Sequence, residues 1–118
     1  MGDEWITDFI GDDRQHDDHE IDMIFSLLSD RYTRFAMQYL VDNPSATLDE
    51  LSEVVAGWEA AYHHRVVTPS DHDTIRIYLH HVALPRLDRH QLVNFDPEDQ
   101  VVTEAAIPSF VDELLSTV

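Results

Sequence analysis

The sequence predicts a mainly α-helical domain that carries a small β-hairpin. Three observations lead there. Apolar residues recur at helical spacing over most of the chain, two short runs of strand character, "LVNF" and "QVVT", flank the turn sequence "DPED", and 118 residues suffice for one core but not for two. The expected organisation is an acidic N-terminal arm at residues 1–19, the folded domain at 20–104 and a C-terminal helix at 105–118.

The first helix is predicted from Ile21, Ile24, Phe25 and Leu28, which follow the i, i+3, i+4, i+7 rule, and it ends near Leu28. Ser29 is placed to cap a second helix through Val41, with Tyr32, Phe35, Tyr39 and Leu40 inward. Pro44 in "DNPSA" stops it, because a residue before proline is pushed out of the helical region. Thr47 and Glu50 form a T-x-x-E capping box ahead of a third helix. Its Leu48, Leu51, Val54, Val55, Trp58 and Tyr62 make one apolar stripe.

The polar loop "HHRVVTPSD" leads to a fourth helix, which Ser70 or Asp71 can cap and which runs to about Leu84. Pro85 lacks an amide proton and should kink that helix or restart it as a last turn through Arg89. Ile75, Leu79 and Val82 fall on one side of it and Ile77 and Leu84 nearly opposite, the pattern of a helix buried between its own core and a neighbouring chain. The hairpin follows, with Pro97 at the second position of a type I turn. Pro108 and Ser109 open a terminal helix whose Val111, Leu114, Leu115 and Val118 share one face, a candidate homodimer interface.

Charge is distributed unusually. Asp and Glu number 24 against seven basic residues, all arginine, for a formal net charge of -17. Lysine and cysteine are both absent, which excludes disulfides, thiolate metal sites and cysteine nucleophiles. An acid-rich chain without lysine resembles proteins of extremely halophilic archaea, whose cytosol holds multimolar salt. No run approaches the roughly 18 apolar residues of a membrane span, and "MGDEWITDFIGDDRQHDDHE" has acids where a signal peptide needs basic groups. A cytoplasmic location without membrane contact is expected.

The order of four helices, a hairpin and a helix is that of a winged helix-turn-helix. "LHHVALPRLDRHQLVNFDPEDQVV" resembles the recognition-helix-to-wing passage of arsenical-resistance-repressor-type (ArsR-like) transcriptional regulators, and more closely a haloarchaeal winged-helix family of uncharacterised function. The likeness takes in "LLSDRYTRFAMQYL" and "TLDELSEVVAGWE" and spans roughly Ile21 to Thr103. It implies a winged fold and a regulatory role, and supplies neither a DNA site nor an effector. Gln91 stands where such proteins usually carry a glycine just before the first wing strand, a place where a left-handed backbone costs glutamine more than glycine.

Within so acidic a chain, Thr74–Phe95 carries three arginines and three histidines against one acid, Asp88. Double-stranded DNA is the partner this suggests, with Arg76 and His80 near base edges and Arg86 and Arg89 on the flanking backbone. The helix dipole alone also favours arginine at a helix C-terminus, which accounts for Arg86 and Arg89 without a ligand. Against DNA stand Asp96, Glu98 and Asp99 at the wing tip, which phosphate repels. The alternative is a protein-interaction or assembly module that keeps the winged fold.

Neither a cofactor nor a metal is called for. His80 and His81 are adjacent, as are His63 and His64, and adjacent helical side chains diverge by about 100°, too far to chelate one ion. His81 falls with Ile77 and Leu84, as a hydrogen-bonded histidine at the core edge would. "HDDH", His16 to His19, has workable spacing and is expected to be solvated. No G-x-S-x-G, Gly-rich phosphate loop or H-E-x-x-H is present, so no catalytic residue is assigned and no enzyme is expected.

Overall fold

The computed structural model describes residues 18–104 and 109–117. Most of the acidic arm, with His16 and Asp17 of "HDDH", lies outside the described residues, as does Val118. In order come α1 (Asp18–Ser29), α2 (Arg31–Asp42), β1 (Ser45–Thr47), α3 (Leu48–His63), α4 (Pro69–Tyr78), a π-helical turn (Leu79–Ala83), α5 (Leu84–Arg89), β2 (Val93–Asp96), β3 (Val101–Glu104) and α6 (Ser109–Thr117). The described chain is mainly helical, with one small antiparallel sheet in the order β1-β3-β2.

Helix starts fall where a side-chain oxygen meets an orphan amide, and two caps differ from those expected. Asp30, not Ser29, caps α2: its carboxylate accepts from the Thr33 amide at 3.3 Å and from the Thr33 hydroxyl at 2.5 Å. Ser29 Oγ instead donates back to the Ser26 carbonyl at 2.6 Å. Thr68, not Ser70 or Asp71, caps α4, where Thr68 and Asp71 form a reciprocal capping box and Pro69 occupies the first turn. Thr47 caps α3 as expected, but Glu50 turns away to accept from the Tyr39 hydroxyl, so only half of that box forms.

The hairpin pairs Val93 with Glu104 and Asp96 with Val101. A third strand was not expected: β1 lies on the other edge of β3, pairing Ala46 with Val102. Of Ser-Ala-Thr only Thr47 favours a strand, and burial of Ala46 against the core holds the segment there. Gln91 does adopt the left-handed conformation, φ 64°, as do His64 at φ 52° and Gln100 at φ 56°. At Gln91 this closes α5, with the Gln91 amide donating to the Asp88 carbonyl and the Leu92 amide to the Leu87 carbonyl, both at 2.9 Å.

The π-helical turn corrects the picture of a helix buried on two sides. The Leu84 amide donates to the Leu79 carbonyl five residues back, which widens the helix just before Pro85, where a regular turn would drive the ring into a carbonyl. The extra residue rotates Leu84 onto the same side as Leu79, so Ile75, Leu79, Ala83, Leu84 and Leu87 form a single buried stripe. Ile77 and Val82 are left 59% and 36% exposed. Ile75 and Leu79 therefore belong to the chain's own core and offer nothing to a neighbour. Full burial of each such leucine or isoleucine contributes about 1.5–3 kcal/mol.

That core gathers α1 (Ile24, Leu27), α2 (Met37, Leu40), α3 (Leu48, Leu51, Val55), the α4–α5 rod, and Val93 and Val102 of the sheet. The α3 stripe is buried only in part: Trp58 and Tyr62 are exposed, and Ser52, Ala56 and Glu59 take the inward positions beside Val55. Val111, Leu114 and Leu115 of α6 are buried in the chain's own core, and the Leu115 carbonyl accepts from Gln38 Nε2 at 3.2 Å. Three of the four residues on which the homodimer expectation rested are thus covered from within, and the fourth, Val118, lies outside the described residues.

Candidate functional site

The basic stretch forms a continuous helical run of α4, π turn and α5, and its groups reach three different surroundings. Arg76, near the end of α4, is a strut. Its Nε donates to Asp49 Oδ1 at 2.7 Å and its Nη2 to Gln100 Oε1 at 2.9 Å, tying the rod to the first turn of α3 and to the hairpin loop. Arg86 is half-buried and close enough to Tyr78 for its charge to act on the phenol. Tyr78 donates to Asp30 Oδ2 at 2.6 Å, and burial, followed by that hydrogen bond, pushes the phenol above its usual range.

His80 and Arg89 do come together. Both line a groove of about 530 Å³ between the π turn, α5 and the hairpin, with His81, Pro85, Asp88, Phe95 and Pro97. The His80 and His81 rings stack with centroids 4.3 Å apart and an interplanar angle of 21°, and His80 meets the Phe95 ring edge-on at 5.8 Å. Loss of water around the His80 imidazole, followed by the nearby His81 and Arg76, lowers its pKa from the ordinary 6.5. Asp88 Oδ2 accepts from the Phe95 amide at 3.1 Å, which joins α5 to β2.

His81 is exposed, which corrects the expectation of a core-edge histidine. The π turn is the cause. By moving Leu84 inward it leaves Ile77, His81 and Val82 on the solvent side. At the hairpin tip Asp96 Oδ1 accepts from the amides of Glu98 and Asp99 at 3.0 and 3.2 Å, and the three acids are exposed.

A second constellation escapes sequence reasoning. Glu59, 1% exposed, accepts from Arg31 Nε at 2.9 Å and Nη2 at 2.7 Å, and His63 Nε2 lies 2.8 Å from its Oε1. Arg31 also lies over the Tyr62 ring at 5.0 Å, and the Glu59 hydrogen bonds raise its pKa. The i, i+4 spacing of Glu59 and His63 is legible in α3; Arg31, 28 residues earlier, is not. Around it lies an aromatic edge, Trp58 and Tyr62 against Phe35, beside a groove of about 370 Å³ that runs to Asp112 and Leu115.

Among the described residues no three His, Asp or Glu gather as metal ligands, and no helix is long and apolar enough to cross a membrane. What the fold and the grooves define is a mainly helical domain with a three-stranded sheet, two of its histidines, His80 and His81, and Arg89 collected beside the hairpin. The chain belongs to the DUF7344 family, a domain of unknown function, whose pattern matches residues 25–103. That match contains Arg76, His80, Arg86 and Arg89 and leaves out α6. No curated protein and no solved structure matches the chain.

Proposed function

We propose that this domain is a winged helix-turn-helix and that the protein is a DNA-binding transcriptional regulator of a halophilic archaeon, working in the cytoplasm. One observation carries it: α3, the short turn His64–Thr68 and α4 are followed at once by a hairpin, and β1, between α2 and α3, closes on the inner strand of that hairpin. In this arrangement α4 is the recognition helix, β2 and β3 are the wing, and the likeness to ArsR-like regulators rests on the same order of elements. The net charge of -17 without lysine supports the halophilic setting.

Arg76 and His80 serve base edges and Arg86 and Arg89 the flanking phosphates. Arg76 must leave Asp49 and Gln100 to do so. The Asp49 side chain is 72% exposed, so that ion pair is worth about 0–1 kcal/mol, and the Gln100 hydrogen bond adds about 0.5–1.5 kcal/mol, together comparable with the roughly 1–3 kcal/mol of a bidentate base contact. A two-fold dimer would set two recognition helices about one DNA turn apart. Its interface would have to be a surface other than the α6 stripe. Selection of duplexes from a random pool in molar potassium chloride tests the assignment. Arg76→Ala should relax the selected sequence at a cost of about 1–3 kcal/mol, whereas Arg86→Ala and Arg89→Ala weaken all sequences alike. Selection that enriches no sequence would overturn it.

An assembly module is the second reading, favoured by Ile77 and Val82 exposed on the same rod and by the acids at the hairpin tip. It predicts that Ile77→Asp shifts the mass measured by light scattering and that Arg76→Ala leaves promoter occupancy unchanged.

A further inference from the structure

We infer that the groove between α5 and the hairpin binds a small planar aromatic anion, a ring of one or two cycles carrying a phosphate or carboxylate. The walls supply each half of that description. Consecutive helical side chains normally diverge by about 100°, yet the imidazoles of His80 and His81 lie stacked, and the inner one is fixed edge-on against Phe95 of β2. His81 is exposed, so its outer face is open to a further ring. Pro85 and Pro97 add apolar surface to the lining.

The anion follows from charge. Arg89 lines the same groove and is exposed, and its planar guanidinium matches a carboxylate or phosphate through paired hydrogen bonds. Asp88 is the one carboxylate among the lining residues, and one of its oxygens is occupied by the Phe95 amide. In a chain of net charge -17, the groove sets one guanidinium beside a single acid that a backbone amide already engages, and its two imidazoles offer N–H donors to an anion. The volume of about 530 Å³ lies in the range of small-ligand sites. A metal ion is a poor alternative, since stacked imidazoles direct their in-plane lone pairs side by side instead of toward one point.

The inference stands apart from DNA reading, because it is tested with no nucleic acid present. Adenosine 5′-monophosphate and benzoate are titrated into the full-length protein in molar potassium chloride and followed by histidine-ring and amide resonances. Adenosine and inorganic phosphate probe ring and charge alone. Either anion should give saturable shifts at His80, His81 and Phe95, with affinity reduced about tenfold or more, the equivalent of 1.4 kcal/mol, by Arg89→Gln and by His81→Gln. Both side chains are exposed, so each variant should keep the parent amide spectrum. The inference is overturned by no saturable shift up to about 10 mM, a floor for weak specific binding, or by unchanged affinity in both variants. Equal affinity for adenosine, or for phosphate, and the nucleotide would overturn it as well.

Discussion

A carboxylate as buried as Glu59 persists only if its oxygens are paired, and the pairing comes from Arg31 on one helix and His63 on its own. Removing a partner of a buried pair costs about 3–5 kcal/mol; Arg31 is a third exposed, so Arg31→Ala should cost roughly 2–3 kcal/mol in urea denaturation at fixed salt. A loss below 0.5 kcal/mol, the scatter of ordinary surface changes, would mean that Glu59 is satisfied without it. His80 carries a pH dependence whose sign is fixed. Its folded pKa is lowered, so the unfolded chain takes up the proton first and stability, complete above about pH 6.5, falls as pH drops through the folded value. Urea midpoints of His80→Gln and the parent should therefore converge as pH falls from about 7.5 to 5.5. Parallel curves would contradict it. Gln91 stood out only through the resemblance, which puts a glycine at that place, and Arg31 did not stand out at all, because its partner is brought by tertiary packing. Gln91→Gly should raise stability by about 1 kcal/mol by relieving the left-handed strain.

At the scale of elements, helix existence followed from apolar periodicity, and the departures have local causes. The α4–π–α5 rod was misread because a 3.6-residue period was carried through Leu79–Ala83, where the chain winds once with a wider turn ahead of Pro85. Leu84 tests that register directly. Leu84→Ala and Leu79→Ala should each cost about 2–5 kcal/mol, while Ile77→Ala should stay within about 0.5 kcal/mol. A small loss at Leu84 with a large one at Ile77 would restore the regular helix. β1 was invisible because a three-residue segment with one strand-favouring side chain, Thr47, is held by Val101, Val102 and Thr103, far along the chain. Of the candidate site, the basic stretch was legible from its composition, but the meeting of His80 with Phe95 and Arg89 was not, since it depends on how the hairpin folds back.

For the molecule as a whole, charge sets the conditions under which any of this operates. With a net charge of -17, the compact state should lose helical circular dichroism as potassium chloride falls from about 1 M, where charges are screened beyond about 3 Å, to about 0.01 M, where the length reaches 30 Å. A signal unchanged across that range would remove the halophilic argument. High salt also suppresses the phosphate attraction on which most DNA binding depends, so the proposed recognition would have to rest on direct contacts. The proposal stands or falls on whether α4, the π turn and α5 read DNA. Crosslinking of the tagged protein to the genome in its own cells, at their own salt, tests this most directly: discrete promoter peaks are predicted, sharply reduced in an Arg76→Ala, Arg86→Ala, Arg89→Ala variant of intact fold. Coverage indistinguishable from an untagged control, or peaks unchanged in that variant, would contradict it.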